Sequence, residues 1–222
     1  MKTINISLIA IATLLFASCG SNETNQDQTE PTGAPVEKST AKVCTFSYDA
    51  STTKLTWTAF KTSAKVAVGG TFNNFSVENT VDSKSESAVF ENATFTIETA
   101  TVNSGNETRD PKLVEFFFDQ MVDPMTIEGG IDKISEAVDG KGAAIINITM
   151  NGETKQENAT YTLEGTVLTL SATLDLSKWA AENAVASLNK ACEILHTGDD
   201  GVSQLWSEVE VEITTTLAKS CE

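Results

Sequence analysis

The sequence predicts an all-β fold with two helices, its strands closed into a mainly antiparallel sheet. Three observations carry this. Apolar and polar residues alternate with period two along most of the chain from residue 44 onward, turn-forming Gly, Asn and Asp residues separate the alternating runs, and only two stretches switch to helical spacing. Many strands with few helices between them favour a closed β architecture over a parallel sheet.

Leu55, Trp57 and Ala59 alternate with Thr56 and Thr58 and form the first clear strand. Gly70 to Val81 reads as the next, with Gly69-Gly70 marking a bulge or bend. Val89, Ala93, Phe95 and Ile97 alternate with Asn92, Thr94 and Thr96 as a third. After the turn Asn103-Ser104-Gly105-Asn106, Asp110 is expected to N-cap a short helix, with Pro111 at its first position and Leu113, Phe116 and Phe117 on its apolar face. Met125 to Ile134, Ala143 to Asn151, Ala159 to Leu163 and Val167 to Leu176 read as further strands. From Lys178 to Leu195, residues Ala181, Ala184, Val185, Leu188, Cys192 and Leu195 recur at helical spacing, and Gly198 can end that helix. In the last strand Val209, Val211, Ile213 and Leu217 point one way while Glu208, Glu210 and Glu212 point the other. A slip of one residue would bury those carboxylates, so the register is well specified.

Residues 1–18 read as a targeting segment, with Lys2 as a short positive region followed by an apolar stretch too short to span a bilayer. Leu15-Phe16-Ala17-Ser18-Cys19 resembles the bacterial lipobox, in which small residues precede a cysteine that is diacylated and becomes the new N-terminus. Cys19 is therefore the expected lipid anchor, and two acyl chains give stable attachment to a membrane of the cell envelope. Gly20 stands where an Asp signals inner-membrane retention in some bacteria, which points to the outer membrane, facing periplasm or surface. Residues 19–43 are rich in Gly, Ser, Asn, Gln, Thr, Glu and Pro and are expected to form a disordered tether. The folded domain then spans residues 44–222, enough for one sizeable core.

The chain has 15 basic and 31 acidic residues. Removing residues 1–18 takes away Lys2 alone, which leaves 14 against 31, or −17 before the termini. Such a surface repels phosphate-rich partners, so nucleic acid is excluded. Beyond Cys19 there are three cysteines, Cys44, Cys192 and Cys221. An odd number leaves one thiol free or bridging two chains in a homodimer. Cys192 falls on the apolar stripe of the second helix and is expected as a buried thiol, which leaves Cys44 to pair with Cys221. That bridge would close a very long loop, worth about 4–5 kcal/mol in the chain-entropy model.

His196 is the only histidine, so no multi-histidine metal site can form. Beside the expected helix end it reads as a cap for free carbonyls. Cys192 lies four residues earlier, a spacing at which a Cys–His pair for nucleophilic or metal chemistry is conceivable. Gly198-Asp199-Asp200-Gly201 reads as a turn and lacks the acidic spacing of an EF-hand. A P-loop, a dinucleotide Gly-rich fingerprint and a nucleophile elbow are all absent from the sequence. Binding without a cofactor, a metal or catalysis is the expectation. Glu208, Glu210 and Glu212 form a solvated face that could also dock another envelope protein, with the barrel filled. Arg109 beside Asp110 could meet an anionic headgroup, or Asp110 could cap the helix while Arg109 pairs locally. Trp57, Trp179, Trp206 and Phe116 to Phe118 could line a cavity or fill a core; composition alone fits both.

Taken in order, Lys54 to Phe60 (KLTWTAF), Val68 to Phe75 (VGGTFNNF) and Asn103 to Leu113 (NSGNETRDPKL) with Phe116-Phe117-Phe118-Asp119 resemble the YceI-like lipid/polyisoprenoid-binding family. The similarity extends through Asp200 to Trp206 and the terminal Val-Glu-Val-Glu strand. This resemblance implies an eight-stranded, lipocalin-like antiparallel β-barrel that holds a long isoprenoid or fatty chain in its lumen without covalent chemistry. By position it makes Trp57, Phe72, Phe75, Phe95, Phe116 and Phe117 the expected cavity-lining residues, with Arg109 the candidate for a headgroup.

Overall fold

The computed structural model describes residues 42–222. The expected signal segment 1–18, the Cys19 anchor and nearly all of the tether 19–43 lie outside the described residues. Twelve strands follow in order: β1 (Cys44–Ser47), β2 (Lys54–Lys61), β3 (Val66–Phe72), β4 (Phe75–Glu78), β5 (Thr94–Glu98), β6 (Val102–Asn103), β7 (Thr126–Ile134), β8 (Lys141–Met150), β9 (Glu153–Glu164), β10 (Val167–Asp175), β11 (Leu205–Thr216) and β12 (Ala218–Cys221). The helices are α1 (Asp110–Phe116), α2 (Glu182–Ala191) and α3 (Glu193–His196).

Ten strands pair antiparallel in the order β4-β5-β7-β8-β9-β10-β11-β2-β3-β6. The two ends of that order belong to the same two stretches of chain. β3 runs into β4 through Asn73-Asn74, and β5 runs into β6 through a 3-10 turn at Thr99–Thr101. Thr71 pairs with Asn103 and Phe72 with Val102; beyond the kink Phe75 pairs with Ile97 and Val77 with Phe95. Across the kink the Asn73 N–H donates to the Thr101 carbonyl at 2.9 Å and the Glu98 N–H to the Asn74 carbonyl at 3.1 Å. The sheet therefore closes on itself as a barrel of eight strands, two of them kinked, and the count of ten reflects only those two interruptions.

Period-two alternation decides which residues face inward. In β11, Val209, Val211 and Ile213 face the lumen while Glu210 and Glu212 are exposed, as the sequence pattern requires. Three inner-face rings lie against a glycine directly opposite on the neighbouring strand: Trp57 on Gly70, Phe95 on Gly129 and Tyr161 on Gly142. A Cβ added at those glycines would come within 2.5, 2.3 and 2.3 Å of the respective ring. The missing side chain lets each ring lie on the wall instead of projecting across the lumen.

Several local expectations are corrected. The strand expected from Gly70 to Val81 is β3 and β4, broken where Asn73-Asn74 turns. Val89 lies in a 3-10 turn (Ser87–Phe90), fully buried, and β5 starts only at Thr94 because Asn92 takes φ 63°. Asp110 is the first residue of α1, not its cap: its carboxylate accepts from the Ser104 N–H at 2.9 Å and from the Ser104 hydroxyl. Asn106 serves the helix start, accepting from the N–H of Thr108 (3.0 Å) and of Arg109 (3.2 Å). The helix expected over 178–195 is a 3-10 turn (Leu176–Trp179), then α2 and α3. Ala180 at φ 52° breaks it once and Cys192 again, so Leu195 leaves the apolar stripe and is 60 % exposed.

β1 and β12 form a separate two-stranded ribbon joining the two ends of the domain, and Cys44 is disulfide-bonded to Cys221 across it. Phe46 of β1 is buried with Val89, Phe90 and Leu217 in the main core, and its N–H donates to the Ser83 carbonyl at 2.7 Å. Cys192 is a buried free thiol.

Two stability tests follow from this geometry. Replacing Cys44 and Cys221 together by Ser is expected to lower the unfolding free energy in urea by roughly 2–5 kcal/mol. Gly129→Ala sets a methyl 2.2 Å from the Asn147 carbonyl oxygen and against the Phe95 ring, and is expected to lower it by about 1–3 kcal/mol. An unchanged urea midpoint in either variant would contradict the packing described.

Candidate functional site

The lumen is hollow. A cavity of about 210 Å³ runs through it, within about 1650 Å³ of atom-free space that includes open solvent at its mouth. Its wall is built by the inward positions of the strands, chiefly branched aliphatic residues such as Ile127, Ile131, Ile146, Leu170, Val209 and Val211. β-Branched residues at alternate positions both favour the strand and fill its inner face.

The two ends differ. At one, Phe90 and Ala93 border the cavity under the β1–β12 ribbon. At the other, Leu113 of α1, the following Phe117 and Phe118, and Val185 and Leu188 of α2 close over it, with α1 packed on α2.

Among the described residues no charged side chain borders this space. Its polar groups are turned into the wall. The Trp57 indole N–H donates to the Thr71 carbonyl at 3.2 Å and that of Trp206 to the Thr62 carbonyl at 2.8 Å. The hydroxyls of Thr53 and Thr215 bond each other at 2.8 Å. What remains facing inward is almost entirely carbon. Such a surface favours an apolar guest.

Of the residues singled out from the sequence, Trp57, Phe72, Phe95 and Phe117 border the cavity, while Phe75 and Phe116 are half-buried outside it. Phe118 and Trp206 border it as well. Phe118 stacks edge-on with both Phe72 (6.1 Å) and Phe117 (5.0 Å). Trp179 is fully buried elsewhere, its indole N–H donating to the Ile148 carbonyl at 3.0 Å. The sequence reading passed over most of the aliphatic wall, although the same alternation that marked the strands also marked those positions.

Arg109 stands immediately before α1, outside the lining, and makes no ion pair among the described residues. Glu208 is held by Lys65 at 3.0 Å. The Asp200 carboxylate accepts from Ser63 and from the Val202 N–H (3.1 Å), which lower its pKa and close the turn.

His196 does not cap helix carbonyls. It is buried, its Nδ1 lies 2.9 Å from the Asn189 side-chain oxygen, and that oxygen also accepts from the Ser203 hydroxyl at 3.3 Å. Among the described residues no hydrogen bond joins the Cys192 thiol to this imidazole, and no group of three metal-ligating side chains forms. Burial, helped by the charge of Lys61, holds the His196 pKa below its usual 6.5.

A histidine with a depressed folded-state pKa gives stability that is fully present above 6.5 and is lost as pH falls from there through the lower folded value. The urea midpoint is therefore expected to drop as pH falls below 6.5, and His196→Gln is expected to flatten the drop. An equal pH slope in wild type and variant would contradict the burial of a neutral imidazole.

A family model for the YceI-like domain matches residues 46–217. No curated protein matches the chain. The crystal structure of Burkholderia cenocepacia BcnA is similar at 16% identity and a TM-score of 0.51, with 78% of this chain and 99% of that one covered. The structure of a polyisoprenoid binding domain from Saccharophagus degradans, implicated in plant cell wall breakdown, is similar at 11% identity and a TM-score of 0.53, covering 81% and 100%. A Campylobacter jejuni YceI protein is similar at 19% identity and a TM-score of 0.50, covering 70% and 85%. At these identities the likenesses speak for the fold. With the family model spanning nearly all of the barrel, the chain belongs to the YceI-like domain family.

Proposed function

We propose that this protein is a non-covalent carrier for one long apolar chain of the isoprenoid or fatty type, held in the barrel and displayed from the cell envelope. The observation that carries this is the continuous lumen, on whose wall no charged side chain stands among the described residues. The cavity of about 210 Å³ offers apolar contact along its whole wall, which suits a flexible hydrocarbon chain. Burying such a chain contributes on the order of 10 kcal/mol gross, at about 0.8 kcal/mol per methylene, before the costs of association. The polyisoprenoid binding of the Saccharophagus degradans domain supports this choice of guest.

The envelope setting rests on the lipobox-like sequence at Cys19, with Gly20 favouring the outer membrane. The Cys44–Cys221 bridge fits a compartment that permits disulfides. Arg109, the only arginine in the chain, is the residue we assign to an anionic headgroup left at the helix-bearing end. No bond is made or broken in this role, and no cofactor takes part.

A fluorescent geranylgeranyl derivative titrated against the protein tests the reading. Val211 faces the lumen directly opposite Trp57. Val211→Phe is expected to weaken binding at least about tenfold by filling the lumen, with far-ultraviolet dichroism unchanged. Equal affinity in wild type and variant would place the chain outside the barrel and overturn the assignment.

A further inference from the structure

The two ends of the barrel are unlike, and the difference bears on how a chain enters. At one end the ribbon of β1 and β12, the Cys44–Cys221 bridge, the buried Phe46 side chain and the buried 3-10 turn at Ser87–Phe90 stitch the base together. The other end holds the connections β2–β3, β6–β7 and β10–β11, which include all three helices. These connections supply Leu113, Phe117, Val185 and Leu188 to the cavity wall. The same connections carry large aliphatic side chains pointing into solvent: Ile194 is 90% exposed, Met125 68%, Val122 60% and Leu195 60%. Val202 and, at the start of β3, Val66 are exposed there too, whereas the exposed aliphatics of the ribbon end are all the shorter valines, Val43, Val81, Val138 and Val167.

Single exposed aliphatic residues are ordinary, but six gathered at one end, with Ile, Leu and Met among them, offer an apolar partner a shared surface. Lys61 fixes one pair, donating from Nζ to the Leu195 carbonyl at 2.9 Å at the end of α3. Charge does not name an anionic partner. Lys65 and Lys178 at this end are already paired with Glu208 and Glu157, and the remaining cations of these connections, Arg109, Lys112 and Lys190, are outnumbered there by carboxylates such as Glu107, Glu115, Asp119, Asp123, Glu193 and Asp199. A partner recognised by insertion of aliphatic tips, without attraction of charge, has the chemistry of a zwitterionic lipid surface.

Resting on the carrier reading above, we infer that the helix-bearing end docks on a lipid bilayer, with Ile194 and Leu195 on one side of the lid and Val122 and Met125 on the other entering the interface. A chain leaving the bilayer then passes from lipid, between tips, to the lining of the lid without crossing water. Docking is a step separate from holding the chain, because none of these four tips borders the cavity.

The test uses the full chain carrying Cys19→Ser, so that no acyl anchor confounds it, and a dansyl-labelled geranylgeranyl chain whose uptake is read by energy transfer from Trp57 and Trp206. The chain is offered in two ways, by dilution from ethanol and from phosphatidylcholine vesicles. Ile194→Glu with Leu195→Glu is expected to leave uptake from ethanol unchanged and to slow transfer from vesicles at least about tenfold, since two buried aliphatic contacts are lost. Val122→Asp with Met125→Asp serves as the second variant, with the same expectation. Transfer from vesicles at the parent rate in both variants would overturn the docking proposal while leaving the carrier reading intact. Failure of the parent to take the chain from ethanol would instead overturn the carrier reading.

Discussion

Closure of the sheet is the constraint on which the rest depends. Two kinked strands meet at Asn73-Asn74 and Thr99–Thr101, and the bonds from Asn73 to Thr101 and from Glu98 to Asn74 carry the ladder across the break. Without that seam β4 and β6 would be open edges, with rows of unpaired donors and acceptors. With it, all eight strands are paired on both sides and their inward residues share one enclosed space. An eight-stranded barrel can fill that space with side chains or hold one guest. Here three rings lie over glycines, and indole N–H groups are satisfied by wall carbonyls, so the space stays hollow and dry in character.

The same closure separates the two ends into different jobs. The chain's ends are joined at the base, where a disulfide ties β1 to β12 and Phe46 reaches back into the core. At the opposite end long connections fold into short helices whose inner sides complete the wall. Helices of seven and ten residues are marginal alone and owe their order to this packing. They are the parts of the fold best suited to moving aside for a guest, while the ladders around them hold their geometry.

The sequence was most legible where one physical rule acted alone. The alternation of Val209, Val211 and Ile213 with Glu210 and Glu212 set both strand and register, because any other register buries carboxylates. The pairing of Cys44 with Cys221 was legible because Cys192 sat on a helical apolar stripe. Legibility failed where tertiary contacts overrode local preference. Asn92 and Ala180 take left-handed backbone that ended the expected strand and helix, and no pattern in their neighbours announces it. Leu195 matched the helical spacing yet faces solvent, because the break at Cys192 turns the following residues. The cavity was read through its aromatics, which found Trp57, Phe72, Phe95 and Phe117; the aliphatic wall looked like ordinary core, since the same residues serve a filled and a hollow barrel equally.

A carrier role requires that the lumen hold a guest. Native mass spectrometry of the protein purified gently from its own host, followed by organic extraction of the same sample, measures this most directly. The expected result is one apolar adduct per chain that is lost on denaturation and recovered in the extract as a long hydrocarbon chain. A bare polypeptide mass with nothing extractable, together with an experimental structure whose lumen is packed solid by its own side chains, would contradict it.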